Sequence, residues 1–546
     1  MIAGRQRAVG LAAEGLTALA ALRRHPRHLV LASLVVGLLA APLAPATILL
    51  LALAVAALGA WPLPADGAAD VPAPDASPLL ALLAAVALVG GAVGAQARVT
   101  ALDRTQLPPL FGTTVTARVV LQEQPRPVRY GHTALASITG EKVMLRIGQD
   151  VQWPTVSTGA LVDVSGRLRA LGPFEQHYRR RGAHAAISLD AVAATGTARG
   201  GPMGFVDAIR TRAERALSTG LPQRQAALLR GMTLGQDDAL DERTREEFRV
   251  SSLAHVLAAS GQNVALLLAL ALPLLAYAGL GLRGRLIGAL ALIALYVPLA
   301  GSGPSIQRAG VMGAATTVAA LAGRPASRWY ALLLAAAATL ALNPRASGDP
   351  GWQLSFAAVA AIALLANPVA AALRARRVPQ PVADATAMSL AATLGTAPLL
   401  ALHFHQLSIV GIPANLLAAP AIAPITWLGM LAAALGQLTP SLAIPLNTIN
   451  VYLLAYVGAI AHAAASIPHA SIELSLPGPL ALIGSYVGIA FAALLAQRLH
   501  KPEARAWTAR RLFQRLAGQD SASRACQPRP HLDSRAKCPP PSSPPT

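Results

Sequence analysis

Long apolar runs dominate the chain and predict membrane-spanning helices. A helix needs roughly 17–25 mostly apolar residues to cross a bilayer. With their flanks, the runs at 286–299, 331–342, 387–402 and 479–496 approach that length. A soluble core helix would show a polar face every 3.6 residues or so, and these runs do not. We therefore predict a polytopic α-helical membrane protein with about ten or more spans.

The first 95 residues predict a basic segment followed by three spans. Arginines are frequent in residues 1–27, and apolar runs follow at 28–41, 44–60 and 79–95. Pro42 and Pro45 favour a tight helical hairpin between the first two runs. A cleaved signal peptide, with small residues near Ala46 as its cleavage site, is the alternative.

The pattern changes at about Gln96, where short alternating runs replace the long apolar ones. They lie between Gly, Pro and Asp turns at 114–121, 133–137, 142–147, 161–168 and 185–189. Such runs are typical of strands, and the OB-fold is a five-stranded barrel of this size. The sequence therefore predicts a small OB-like β-barrel domain, residues 96–200, inserted into the helical protein.

Charge patterning divides the rest of the chain and predicts its orientation. Residues 201–250 are amphipathic and predict helices at the membrane surface. Spans resume over 251–500, and 501–546 form a basic, Pro/Ser-rich tail typical of disorder. Basic clusters recur after even numbers of spans, which puts both termini in the cytoplasm and the barrel outside. This parity requires residues 403–437 to act as one broken or re-entrant element.

Composition supports the membrane interpretation and leaves one question about charge. Of 546 residues, 54% are hydrophobic and 13% charged, and the net charge is +20. Most cations are arginines at helix ends and in the tail, as the positive-inside rule predicts, although a DNA-binding surface is the alternative. Cys526 and Cys538 show neither metal-ligand spacing nor a disulfide framework.

Polar residues retained inside spans are candidate functional residues, because they usually face a cavity or another helix. The densest set lies at 251–263, where His255 and Gln262 would share one helical face. Ser260 and Gly261 allow a backbone break or a close helix approach, and Asn263 follows them. A helix-packing seam held by hydrogen bonds is the alternative interpretation.

Three further sets place single polar residues near span ends. Arg308 enters a span directly after Gly303-Pro304, either reaching back to the interface or offering a charge to an anion. Gln353 and Asn415 occupy corresponding positions in later spans. His403 and His405 have poor spacing for zinc, so we expect no metal site.

One loop of the barrel domain combines an aromatic residue with three cations. Tyr178 precedes Arg179, Arg180 and Arg181, and single-strand binders stack bases on aromatic rings while neutralising phosphates. An ordinary solvated loop is the alternative. Nucleotide-binding loops and zinc-hydrolase motifs are absent from the sequence, so we expect no catalytic residues, no cofactor and no enzymatic activity.

Several ordered strings resemble the ComEC competence family of DNA-uptake channel proteins. They read LAHVLAASGQNVALL at 253–267, GSGPSIQRAGVM at 301–312, NPRASGDPGWQLSFAAVA at 343–360 and ALHFHQLSIVGIPANLLAAP at 401–420. GPFEQHYRRRGAH at 172–184 is similar to part of that family's OB domain. The resemblance implies a competence-type channel domain over 251–500 that passes one DNA strand into the cytoplasm during transformation.

The resemblance also implies partners. These are single-stranded DNA, membrane lipids, a separate DNA receptor, a cytoplasmic helicase or strand-binding protein, and in some systems a separate nuclease. Asn263 stands where many members have His, which argues against acid–base chemistry there. The chain resembles a short form lacking the family's C-terminal β-lactamase-like domain, so we do not expect nuclease activity. A secondary transporter of a small anionic solute is the alternative function.

Overall fold

The structure, a computed structural model, describes residues 25–60, 78–128 and 131–500 of the chain. The described helices are α1 Pro26–Leu39, α2 Pro45–Ala60, α3 Pro78–Leu102, α4 Gln176–Arg180, α5 Gly201–Ser218, α6 Gln223–Leu234, α7 Glu242–Val250, α8 Ala254–Leu257, α9 Gly261–Tyr277, α10 Leu282–Leu299, α11 Pro304–Leu321, α12 Arg328–Leu342, α13 Pro350–Ala375, α14 Gln380–His403, α15 Gly411–Leu435, α16 Ile444–Ala465 and α17 Pro479–His500. The strands are β1 Thr114–Leu121, β2 Arg126–Val128, β3 Gly131–Ile138, β4 Glu141–Ile147, β5 Ala160–Ala170, β6 Ala183–Ala198, β7 Gln406–Ser408 and β8 Ser471–Glu473.

The helices confirm a multi-pass membrane protein. Within the described residues, 6 segments are long and apolar enough to cross a bilayer: α3, α10, α13, α14, α15 and Pro440–Ala465, which contains α16. The shorter helices α1, α2, α9, α12 and α17 are also apolar. The expected total of about ten or more spans stays a prediction. Among the described residues, the boundary between two structural units falls after Leu482.

The inserted domain is a closed five-stranded barrel, which confirms the predicted OB-like fold. Around the barrel the strands follow the order β1-β5-β6-β4-β3, and β3 pairs back with β1 to close it. The β4–β6 pair is parallel and the other pairs are antiparallel. The short strand β2 is added outside the barrel, antiparallel to β3.

Alternation along the strands builds the core of the barrel. In β4, Val143, Leu145 and Ile147 are buried in the barrel core, whereas Lys142 and Arg146 on the opposite face are exposed and Met144 on that face is covered by Tyr178. This period of two is what a strand requires when one face is apolar and the other meets water. Each of the five strands predicted from the sequence lies within one of the observed strands β1, β3, β4, β5 and β6.

Helices α5 to α8 pack along the membrane helices. Phe248 of α7 and Leu229 of α6 are fully buried in one apolar cluster with α15 and α16. That cluster extends along α15 from Ala418 to Ala432 and along α16 to Ala461. The predicted placement of residues 201–250 at the membrane surface stays a prediction; much of their apolar surface is covered by protein, whereas Met203 and Phe205 are exposed.

Two membrane segments are interrupted. The backbone break that Ser260 and Gly261 allow is present, because Ala258 and Ser260 adopt extended backbone between α8 and α9. Residues 403–437, expected to act as one broken or re-entrant element, are interrupted only near their start. The interruption lies before Gly411, and α15 continues through Pro420 and Pro424, since membrane helices tolerate proline where neighbouring groups satisfy the freed carbonyls.

Glycines allow α1 and α3 to approach closely. A methyl group built on Gly91 of α3 would lie 2.6 Å from the carbonyl oxygen of Leu34 in α1. A methyl on Gly37 of α1 would lie 2.0 Å from the carbonyl oxygen of Leu88. Small residues at such crossings let helix backbones meet, which is how membrane helices gain packing energy.

This contact predicts that a bulky residue at Gly91 destabilises the protein. Gly91→Leu should cost about 1–3 kcal/mol, because the backbone of α1 cannot yield as a side chain can. Gly94→Leu is the matched control on the same helix, since no atom lies within 4 Å of a methyl built there. Thermal unfolding of the purified protein in detergent should show a lower midpoint for Gly91→Leu alone. Equal midpoints would contradict the close crossing.

Candidate functional site

The four polar sets predicted from the sequence converge at one end of the helical bundle. Arg308 of α11 contacts Gly261 at the start of α9, and it also reaches the first turns of α13. Gln353 of α13 bonds His403 at the end of α14. Gly411, which begins α15, lies against Ser252. Contacts between helix ends therefore bring together residues far apart in sequence.

Arg308 is the most unusual residue of this end. Its side chain is buried, with only 6% of the residue exposed. One guanidinium nitrogen donates to the carbonyl oxygen of Ser355, and the guanidinium carbon lies 5.9 Å from the centre of the Phe356 ring. Nε is buried without a hydrogen-bond partner. Across the part of the chain that the structure describes, no carboxylate pairs with Arg308.

Gly261 leaves the space that the Arg308 side chain occupies. A methyl built on Gly261 would lie 2.7 Å from Arg308 Nη2. The glycine is the first residue of α9, directly after the extended Ser260. The break between α8 and α9 therefore places a residue without a side chain against the Arg308 guanidinium.

The two residues after Gly261 have different surroundings. Asn263 is buried, and its amide donates to the carbonyl oxygen of Met232 at 2.8 Å and to the Tyr296 hydroxyl at 3.1 Å. The Tyr296 hydroxyl in turn donates to the carbonyl oxygen of Thr233 at 2.6 Å. Asn263 thus ties α9 to the C-terminal end of α6 and to α10, as the packing-seam interpretation expects.

Gln262 and His255 are exposed instead. The Gln262 amide makes no hydrogen bond to any described residue. One ring nitrogen of His255, Nδ1, lies 2.9 Å from the carbonyl oxygen of Ser252. Because the backbone is extended between the two residues, they do not share a continuous helical face. The expected single face at 251–263 is therefore wrong, although both side chains remain accessible.

Gln353 and Asn415 also differ from each other. Gln353 is held on both sides, donating to the carbonyl oxygen of Ser347 at 2.8 Å and lying 2.7 Å from His403 Nε2. Asn415 is partly exposed and has no hydrogen-bond partner among the residues described here. Ser260 Oγ lies 3.3 Å from Asn263 Oδ1. Gln262, His255 and Asn415 are therefore the side chains with polar groups available to a ligand.

The Tyr178–Arg181 segment of the barrel faces the membrane helices. Tyr178 is 7% exposed, and its hydroxyl lies 2.7 Å from Thr133 Oγ1. Arg179 pairs with Asp103 at 3.3 Å, Arg180 donates to the carbonyl oxygen of Gly348, and Arg181 pairs with Glu123. In this arrangement the ring cannot stack on a base and each arginine already has a partner. DNA binding by this segment stays a prediction.

Two residues beside the Tyr178–Arg181 segment were not among the predicted site residues. Asn343 donates to the carbonyl oxygen of Arg180 at 2.7 Å, and Arg345 pairs with Asp103. Burial alone would raise the pKa of the Asp103 carboxyl, but hydrogen bonds from Arg345 and Arg179 hold it below its usual value. Asn343 and Arg345 lie at the start of the family-like string at 343–360, and this string is the sequence signal that points to them.

Comparisons with known proteins agree with the resemblance found in the sequence. Residues 232–499 match the family model described as "Competence protein". A curated relative, ComE operon protein 3 of Bacillus subtilis (strain 168), is 27% identical over 200 residues, which are 37% of this chain and 25% of the relative's length. No solved structure matches the chain. The matched family region contains every polar set of the converging helix ends.

The contrast between Asn263 and Gln262 predicts unequal effects of the same substitution. Asn263→Leu should lower the thermal unfolding midpoint, because the buried carbonyl of Met232 would lose its donor at a cost of about 1–3 kcal/mol. Gln262→Leu, the matched control at the next position, should leave the midpoint near that of the unchanged protein. A lower midpoint for Gln262→Leu, or none for Asn263→Leu, would reverse the two assignments.

Proposed function

We propose that this chain, which belongs to the ComEC competence family, is a channel that passes one DNA strand across the cytoplasmic membrane during natural transformation. It acts as a conduit and not as an enzyme. Single-stranded DNA is its cargo and membrane lipids surround it. A separate DNA receptor, a cytoplasmic helicase or strand-binding protein, and in some systems a separate nuclease act with it.

The buried cation Arg308 is the observation that carries this proposal. A charge removed from water costs several kcal/mol unless a counter-charge or full hydrogen bonding compensates it. Arg308 has a carbonyl and an aromatic face, which offset part of that cost, but no carboxylate partner among the residues described. A phosphate of a passing strand would supply the missing charge, and guanidinium groups bind phosphate well.

The accessible polar groups fit the same path. His255, Gln262 and Asn415 come from three different elements and leave polar groups free at the end of the bundle where Arg308 lies. A polyanion needs such a polar wall, because hydrocarbon offers nothing in place of its hydration. These accessible side chains are positioned by Gly261, Ser260 and Gln353. Asn263 anchors α9 to its neighbouring helices.

A secondary transporter of a small anionic solute is the second candidate, and the same Arg308 favours it. One buried cation beside a broken helix also suits a small anion. The two functions differ in what competes for the site: an oligonucleotide should block a DNA path, whereas a small organic anion should block a solute site. Uptake of labelled DNA in a deletion strain separates them directly.

The proposal predicts that Arg308→Met lowers DNA uptake while the protein remains inserted. Methionine keeps much of the side-chain volume and removes the charge. Loss of one charge-assisted contact, worth about 1.5–3 kcal/mol, corresponds to a decrease of about tenfold or more. Uptake of labelled DNA is measured per molecule of membrane-inserted protein. Arg285→Met, on neighbouring α10, is the matched control, because Arg285 is only partly buried and its side chain bonds the Leu280 carbonyl.

Gly261→Ala tests the same site without removing the charge. The added methyl would displace the flexible end of Arg308, so uptake should fall while the unfolding midpoint changes little. Gly458→Ala in α16 has open space around it and is the control. Normal uptake per inserted molecule in both Arg308→Met and Gly261→Ala would sink the proposed path.

The orientation proposed for the chain places the barrel outside and both termini in the cytoplasm. Contacts of Arg180 with Gly348 and Asn343 place the loop after α12 beside the barrel. The loop at 322–327, with Arg324, lies at the opposite end of α12 and carries positive charge, as cytoplasmic loops do.

This orientation predicts opposite labelling of two loops. Thr139→Cys in the exposed barrel turn should react with a membrane-impermeant thiol reagent applied to intact cells. Ala326→Cys, in a loop at the opposite end of α12, should react only after the membrane is opened. Both variants are made in a background without Cys526 and Cys538. Labelling of both from the same side would overturn the orientation.

A further inference from the structure

The barrel carries two exposed arginines that form no ion pair with a described acidic residue. Arg146 of β4 and Arg167 of β5 are exposed. Arg146 has no hydrogen-bond or ion-pair partner in the described residues. Arg167 donates only from Nε, at 3.2 Å to the carbonyl oxygen of Gly112, which leaves both terminal nitrogens free.

Strand register places these arginines in one row on the outside of the barrel. Arg146 pairs with Ser188 of β6, and Ser188 pairs with Arg167. The neighbours Leu145, Ile147 and Leu168 are buried inside the barrel, so both arginines point outward. Adjacent strands lie about 4.8 Å apart, which sets the two backbone positions about 10 Å apart.

The row of Arg146, Ser188 and Arg167 lies beside the part of the barrel surface that Tyr178 covers, and Tyr178 does not cover the row itself. Tyr178 packs on Met144 and Ala186, the residues two positions before Arg146 and Ser188. The Tyr178 hydroxyl reaches Thr133, which is the β3 neighbour of Arg146. Arg179 and Arg180 are occupied by Asp103 and Gly348, and Arg181 by Glu123 of the barrel domain, whereas this row remains open to water.

Two carboxylates lie near the row and do not cancel it. Glu175 is held by Arg169 through two hydrogen bonds, and this pairing, with a smaller contribution from the charge of Arg146, keeps the pKa of the Glu175 carboxyl below its usual value. Asp190 is exposed in the β6 bulge that follows Leu189. The row therefore keeps the free donors of two guanidinium groups, spaced along one sheet face.

We infer that Arg146 and Arg167, with Ser188 between them, form a phosphate-binding row by which the barrel holds single-stranded DNA outside the membrane. The inference rests on the proposed function and assigns the barrel contact to this row instead of Tyr178–Arg181. The exposed face of the β-sheet contacts the phosphates of the DNA strand and not its bases, so binding does not depend on the DNA sequence. Binding of this kind comes mainly from counterion release.

Salt dependence of binding tests the row in the full-length protein reconstituted in nanodiscs of uncharged lipid. Fluorescence anisotropy of a labelled oligothymidylate is measured over a series of salt concentrations. The double variant Arg146→Ala/Arg167→Ala should bind several-fold more weakly at low salt. The slope of log affinity against log salt should decrease by about 1.4, since each single-strand phosphate contact contributes about 0.7.

Arg118→Ala is the matched control on the same barrel. Arg118 is also exposed on a strand but pairs with Asp163 at 2.8 Å, so its removal should leave the slope unchanged. Three results would overturn the inference: no binding by the unchanged protein, an unaltered slope in the double variant, or an equal loss in Arg118→Ala. A triple variant at Arg179, Arg180 and Arg181 that alone lost binding would move the contact to that segment.

Failure of the row and failure of the channel are distinguishable. If the double variant binds normally while Arg308→Met still lowers uptake as predicted, the proposed function stands and only the row is wrong. If the row binds DNA but neither Arg308→Met nor Gly261→Ala affects uptake, the path through the membrane is wrong and the barrel contact stands.

Discussion

Polar groups inside the membrane helices must find partners within the protein, because hydrocarbon supplies none. Most of the polar side chains near the helix ends obey this requirement. Asn263 bonds Met232 and Tyr296, and Gln353 bonds Ser347 and His403. Each of these bonds joins a different pair of chain segments. The constraint therefore both satisfies the polar groups and fixes how the helices meet at the end where the polar sets converge.

Local patterns were enough to predict most of the elements. Span length and the lack of a polar face are properties of one segment, and so is the alternation of a strand such as β1. These elements formed where they were expected, and the barrel closed as an OB-like fold. The family motifs also singled out Arg308 before any contact was known. What these features share is that a short window of sequence contains the whole signal.

Partners distant in sequence could not be predicted. Tyr178 beside three arginines looks like a stacking platform, but its ring packs on Leu135 and Met144 because the preceding turn brings α4 back onto the barrel. Arg180 meets Gly348 across 168 positions of the chain. Ser260 and Gly261 allow a backbone break, but the sequence could not show that the break brings Gly261 against Arg308 of another helix. In each case tertiary contacts outweigh the local preference.

The arginines divide by whether the fold already neutralises them. Arg118, Arg169, Arg179 and Arg181 each pair with a carboxylate, and their positive charge is spent on structure. Arg146 and Arg167 outside the membrane, and Arg308 at the converging helix ends, have no such partner among the described residues. DNA binding is driven by counterions that are released when a protein cation neutralises a phosphate. Only the second group of arginines is free to do this. A raw count of basic residues is therefore a poor guide to a DNA path. Cations that lack a carboxylate partner and lie at a candidate site are better guides to the proposed path, and Arg146, Arg167 and Arg308 meet both conditions.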